Sequence, residues 1–298
     1  MTNPEALAAP AGVAGKLRTT LDMIKFEHSI FVLPFALTGA MLAGRGWPRW
    51  QQVAWIIVAM VGARSAAMTF NRIADFRFDA QNPRTERWAL PSGRLTKGFA
   101  VGFTAAASLL LVMAAHQLNP LAFKLSPLAL ALLFGYSYTK RFTWLSHFML
   151  GICMGSGPVA AWIALRGDLK PGIALLGAGV CLWGAGFDMI YSCQDVNVDR
   201  RLGLYSIPSR FGVAAALYGS IVAHAVMLII LLLAAKLEHM GWLAILGLAL
   251  VALLLGYEHA LVRPSDLSRV NAAFFTVNGY ISVLFFVTWA GDILLHKP

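Results

Sequence analysis

The chain has 298 residues, of which 58% are hydrophobic and only 13% charged, and its mean hydropathy is +0.67. That is too apolar for a soluble domain of this length and places the chain in a bilayer. The net charge of +10 is dispersed over short polar stretches, which argues against a nucleic-acid surface and fits membrane orientation and attraction to anionic lipid.

Crossing the hydrocarbon layer takes about 20 helical residues. Nine apolar runs approach that length: Phe26–Ala43, Val53–Phe70, Phe99–Ala115, Leu121–Tyr138, Leu145–Leu165, Ile173–Ser192, Val213–Ala235, Gly241–Tyr257 and Ala272–Ile293. The expected fold is all-α, a polytopic membrane protein of about nine transmembrane helices in one domain spanning 1–298. Met1–Ala14 is neither basic nor continuously apolar, so it does not read as a cleaved signal peptide, and residues 1–20 read as an N-terminal cytoplasmic tail. With the N-terminus inside, the inner side collects 16 of the Lys and Arg residues and the outer side 7, Arg64 lying within the second run. The positive-inside rule then puts the N-terminus in the cytoplasm.

The first run opens on Lys25, Glu27 and His28 and is interrupted by Pro34. Lys25 and His28 are candidates to meet an acidic substrate, or else anchor the helix at the interface. In the second run Arg64 lies seven residues before Asn71, on nearly the same helical face. It is expected either to reach a polar cavity or to meet carbonyls of a neighbouring helix.

The longest polar insertion, Asn71–Gly98, begins Asn71-Arg-Ile-Ala-Asp75-Phe-Arg-Phe-Asp79. Steps of four put Asn71, Asp75 and Asp79 on one face of a helix expected to continue out of the second span. Two carboxylates at that spacing repel unless something positive lies between them. Four spans later, Asp188, Tyr191, Asp195 and Asp199 step by three, four and four. Asp188 ends an apolar run, where an ionisable group is costly and usually functional. The matching positions of the two insertions suggest two repeat-related bundles around a central cavity, each delivering one cluster to the same face.

Oxygen-only clusters suit hard cations, and Mg²⁺ characteristically shares its coordination between carboxylates, water and phosphate. Two facing clusters would hold a diphosphate between metal sites and offset the charge that grows on it as it leaves. Arg72, Arg77, Lys140 and Arg141 are near enough in sequence to donate to phosphate oxygens. The alternative, that these aspartates merely pair with loop cations, fits a single DxxxD better than two related clusters. An ion pathway would place acids at mid-depth in several spans, whereas the other spans are almost free of them. Phe70, Phe76, Phe78, Tyr136, Tyr138, Trp162 and Trp183 could flank an isoprenoid or its cation through their ring faces. Cys153, Cys181 and Cys193, with no CxxC spacing, read as small buried thiols.

At its two clusters the sequence resembles the UbiA superfamily of intramembrane aromatic prenyltransferases. The motif NDxxDxxxD is matched by Asn71, Asp75 and Asp79, with Arg72 in place of its second-position Asp. The motif DxxYxxQDxxxDxxxGxxS is matched by Asp188, Tyr191, Gln194, Asp195, Asp199, Gly203 and Ser206. The stretch from Arg84-Thr85 to Leu90-Pro91-Ser92-Gly93 and the run Tyr136-Ser-Tyr138-Thr-Lys140-Arg141 extend the likeness, although Trp88 stands where the family has Arg. The resemblance implies nine helices around a cavity in a bacterial cytoplasmic membrane, with Mg²⁺ as cofactor. It further implies polyprenyl transfer from a diphosphate to an aromatic hydroxy acid in quinone biosynthesis. On that basis Asn71, Asp75, Asp79, Asp195 and Asp199 are the metal and diphosphate residues and Lys140 and Arg141 contact phosphate. Asp188 and Tyr191 shape the acceptor site. The expected acceptor is 4-hydroxybenzoate. The stretch Lys25-Phe-Glu27-His28-Ser-Ile resembles a subgroup whose acceptor is 1,4-dihydroxy-6-naphthoate in menaquinone synthesis, the runner-up to 4-hydroxybenzoate in ubiquinone synthesis.

Overall fold

The computed structural model describes residues 12–24 and 31–296. Lys25, Glu27 and His28 lie outside the described residues, so their expected places at the first span stay with the sequence.

The described chain is helical. In order the helices are α1 (Gly12–Met23), α2 (Leu33–Gly44), α3 (Trp50–Ala74), α4 (Phe76–Asp79), α5 (Lys97–Leu118), α6 (Pro120–Thr139) and α7 (Ser146–Arg166). They continue as α8 (Pro171–Ser192), α9 (Val196–Leu202), α10 (Ile207–Phe211), α11 (Val213–Leu237), α12 (Trp242–Ala260) and α13 (Asn278–Leu295). A 3-10 turn, Cys193–Asp195, joins α8 to α9, and a π-helical turn, Ala272–Val277, leads into α13. Eight of these helical stretches are long and apolar enough to cross a membrane, and α2, at 12 residues, is the shorter apolar helix of the first expected span. The chain is therefore an integral membrane protein of the expected architecture. Its outer helix faces carry exposed Leu109, Ile229, Leu253 and Val287, a cost in water and none in lipid.

Local chemistry fixes the helix ends that matter for the cavity. Asn119 accepts from Ala122 N at 2.8 Å and is followed by Pro120, a first-turn proline, so α6 starts with its orphan donors covered. α9 ends on Gly203, whose φ of 68° is left-handed and suits glycine. The chain then turns so that Leu204 N donates to Asp199 O at 2.8 Å. Ser206 next caps α10 by accepting from Ser209 N at 3.2 Å.

The main core joins α2, α7, α8, α11, α12 and α13 around Phe35, Trp183, Phe285 and Trp289. α8 lies between α7 and α11 at its centre. Gly155 of α7 meets the carbonyl of Gly177 in α8 with no room for a Cβ, the close backbone approach by which small residues hold membrane helices together.

Within the stretch read as a tail, residues from Gly12 onward form helix α1; its last residue, Met23, and the following Ile24 bury against Ala89, Leu90 and Leu95 of the long insertion. The helix through the first cluster does not run straight. α3 ends at Ala74, Asp75 sits at φ −90°, ψ 8°, and the chain restarts as the single turn α4. The second cluster is likewise split by its 3-10 turn.

Candidate functional site

The breaks in the helices do not scatter the clusters. A cavity of about 280 Å³ is lined by Asn71, Asp75 and Asp79 from one side and by Asp188, Tyr191, Asp195 and Asp199 from the other. The loop after α4 closes the two halves together. Arg84 donates to Asp195 twice, from Nε at 3.1 Å and from a terminal nitrogen at 2.7 Å, and also to the Tyr191 hydroxyl at 3.1 Å. Asn82 adds a bond to Asp195 at 3.1 Å, and Arg201 of α9 donates back to Gln81 O at 2.7 Å. The insertion that carries the first cluster thus docks on the second.

Each cluster carboxylate has a polar partner against it, as low-dielectric burial demands. Arg72 meets Asp79 at 3.1 Å, and Arg141 meets Asp75 at 3.3 Å while also bonding Ala74 O at 2.7 Å. Asn71 donates to Asp75 at 3.1 Å, and Ser206 to Asp199 at 3.0 Å. Burial pushes the Asp79 carboxyl up, against the pull of Arg72. Burial works the other way on the Lys140 ammonium, but Asp199, Asp188, Asp195 and Asp75 around it more than offset this and raise its pKa.

Lys140 and Arg64 line the cavity as expected, and Arg64 also reaches Ile24 O at 3.4 Å. Arg77 does not take the place expected of it: it is exposed and absent from the cavity lining, because two residues from Asp75 and from Asp79 puts it on the far face of the α4 turn. Arg72 lies 4.1 Å over the Trp88 ring, so the two departures from the family motifs are neighbours that pack together.

Away from the carboxylates the cavity turns apolar. Phe78 and Tyr136, both expected, line it together with Phe31, Phe187, Phe274 and Phe275, which the sequence did not single out. Tyr191 and Phe274 stack at 4.1 Å between centroids. Phe70 stacks instead on Phe134 at 4.3 Å, and Trp183 packs on Phe35 at 4.9 Å. Trp162 is buried and bonds Asp168 at 2.8 Å. These three rings are packing residues.

The donors suit Mg²⁺. Both clusters offer oxygen only, from five aspartates and one asparagine on a common cavity. Among the described residues no three His, Cys, Asp or Glu side chains converge on one point; Mg²⁺ takes one or two carboxylates per site and completes its shell with water and phosphate. Arg84 and Asn82 were missed by sequence reasoning, as was His147, whose ring is fully buried and bonds Asp188 at 2.7 Å. The Arg84-Thr85 likeness was the available signal for Arg84. Nothing in the sequence pointed to His147.

The profile of the UbiA prenyltransferase family matches residues 32–286. A protein of Methylobacillus flagellatus named 4-hydroxybenzoate octaprenyltransferase is 31% identical over 93% of this chain and 94% of its own. One of the same name from Paraburkholderia phytofirmans is 32% identical over 83% of this chain and 85% of its own. Among solved structures, the apo form of a UbiA homolog from Aeropyrum pernix superposes with a TM-score of 0.81 at 35% identity, covering 90% of this chain and 98% of that one. A UbiA homolog from Archaeoglobus fulgidus bound to DMAPP and Mg²⁺ shares the fold at a TM-score of 0.70 and 17% identity, covering 92% of this chain and 99% of that one.

Proposed function

The chain belongs to the UbiA prenyltransferase family, and from that premise we propose that it transfers a polyprenyl group from its diphosphate to a hydroxyaryl carboxylate, with 4-hydroxybenzoate as the acceptor, in ubiquinone synthesis. The observation that carries this reading is the docking of the first insertion on Asp195 through Arg84 and Asn82, which puts both aspartate clusters on a cavity that continues into aromatic walls.

Asn71, Asp75, Asp79, Asp195 and Asp199 would hold the Mg²⁺-diphosphate. When bound, Mg²⁺ supplies positive charge against the leaving diphosphate. Arg72, Arg84, Lys140 and Arg141 stand beside those carboxylates as donors for phosphate oxygens. The C–O bond of the allylic diphosphate breaks with its electron pair leaving on diphosphate. The ring faces of Tyr191, Phe274 and Phe187 accommodate the cationic carbon and exclude water from it. The phenol-activated acceptor ring then attacks that carbon, and the ring C–H at the new bond gives up its proton to the released diphosphate or to water, which restores aromaticity. Arg64, inside α3 and on the cavity wall, is a candidate cation for the acceptor's carboxylate, and Lys25 and His28 are the other candidates from the sequence. A long isoprenoid tail needs hydrocarbon, so it lies among the apolar spans or leaves sideways into lipid.

The acceptor is decided by a side-by-side assay of 4-hydroxybenzoate and 1,4-dihydroxy-6-naphthoate with one long-chain prenyl diphosphate. Preferred turnover of the benzoate is expected. Turnover of the naphthoate alone would reverse the ranking and move the product to menaquinone synthesis.

The same reading puts the carboxylate mouth on the cytoplasmic side, where water and Mg²⁺ are supplied. Arg87→Cys and Arg201→Cys, in otherwise cysteine-free protein, are expected to react with a membrane-impermeant maleimide only from the inside. Labelling from the outside alone would invert the topology.

A further inference from the structure

His147 opens α7, and its ring is fully buried at the side of Asp188. Both ring nitrogens are engaged. The backbone N–H of Ile207 donates to Nε2 at 3.1 Å, so Nε2 carries a lone pair and the ring proton is on Nδ1. Nδ1 therefore donates to Asp188 Oδ2 at 2.7 Å. A carboxylate that receives a buried N–H donor is held in one rotamer. Asp188 itself is only partly covered and lines the cavity, so its second oxygen remains available there. Tyr191, one turn further along α8, faces the same space.

We propose that His147 is the positioning residue for the acceptor: it fixes the Asp188 carboxyl in one orientation, with its free oxygen set to accept the hydrogen bond of the acceptor's phenolic hydroxyl. The proposal rests on the prenyl-transfer reading and adds to it a residue that touches no substrate. The imidazole also ties this carboxylate to the second cluster, because Ile207 follows Ser206, whose hydroxyl donates to Asp199 at 3.0 Å. A buried imidazole clamped at both nitrogens cannot swing, and that rigidity is what a positioned partner for a small aromatic acid requires.

Two near-isosteric variants separate the two ring nitrogens. His147→Asn keeps an N–H donor where Nδ1 stands and gives up the acceptor for Ile207. His147→Gln keeps an acceptor near Nε2 and gives up the donor to Asp188. Steady-state kinetics of the full chain in detergent, with the acid that wild type turns over, are expected to show kcat/KM for the acid about 30-fold down in His147→Gln. In His147→Asn it should recover to within about 5-fold of wild type, with KM for the prenyl diphosphate within about 2-fold in both. Asp188→Asn, which leaves His147 in place, should give the same split even if the His147 variants fail to fold. Adding His147→Gln to it should then cost nothing more. Equal losses in the Asn and Gln variants, losses that multiply in the double variant, or a rise in prenyl diphosphate KM in Asp188→Asn would overturn the positioning role. Wild type that transfers to neither acid would instead overturn the functional reading, and this proposal with it.

Discussion

Asp75→Ala or Asp195→Ala, in protein that still inserts into the membrane, is expected to lower prenyl transfer by about 10³-fold or more, about 4 kcal/mol of transition-state stabilisation. The size follows from what each carboxylate does. Both line the cavity, one on each wall, and on the proposed mechanism the diphosphate charge that grows in the transition state would be shared between the two walls. Removing either oxygen pair would then lose a proposed metal ligand. It also leaves Arg141 or Arg84, which those carboxylates face at 3.3 Å and 2.7 Å, without its counterion. The readout is labelled prenyl transfer in membranes with matched protein levels. Full activity in either variant would remove the two-cluster mechanism.

Arg84→Ala is expected to have the second-largest effect, a loss of about 10²-fold in kcat/KM for the prenyl diphosphate. Arg84 spans the site: it grips Asp195 with two nitrogens and Tyr191 with a third, and so it both docks the first insertion and offers a planar donor face to the cavity. Arg84→Lys should recover only part of the loss, because an ammonium gives a point contact where the guanidinium gives a fork. An Arg84→Ala enzyme within about 3-fold of wild type would show the contact to be an ordinary loop ion pair.

What the sequence revealed and what it hid divide along a physical line. Helical periodicity is local, so Asp75 and Asp79, and Asp188 through Asp199, could be read as facing sets from their spacing alone. They converge on the cavity even though the helices break at Asp75 and at Cys193–Asp195, because each break is short and the chain resumes as helix directly after it. The spans were readable for the same reason, because length and apolarity are properties of contiguous residues. Arg77 misled because closeness in sequence to Asp75 says nothing about face. Arg84 and His147 were hidden because their partners, Asp195 and Asp188, lie 111 and 41 residues away, and only packing brings them together. The pairing of Arg72 with Trp88 belongs to the same class. Each residue alone reads as a departure from the family motif, and together they form one packed contact.

The most direct test of the account supplies purified full-length protein with a labelled polyprenyl diphosphate and 4-hydroxybenzoate, with and without Mg²⁺. The account predicts diphosphate release matched one for one by a ring-prenylated product, both lost when Mg²⁺ is chelated and restored when it is returned. Tight binding of the prenyl diphosphate with neither product nor diphosphate formed, for this acid or for the dihydroxynaphthoate, would contradict it and leave the carboxylates to a protein that binds or moves its ligand unchanged.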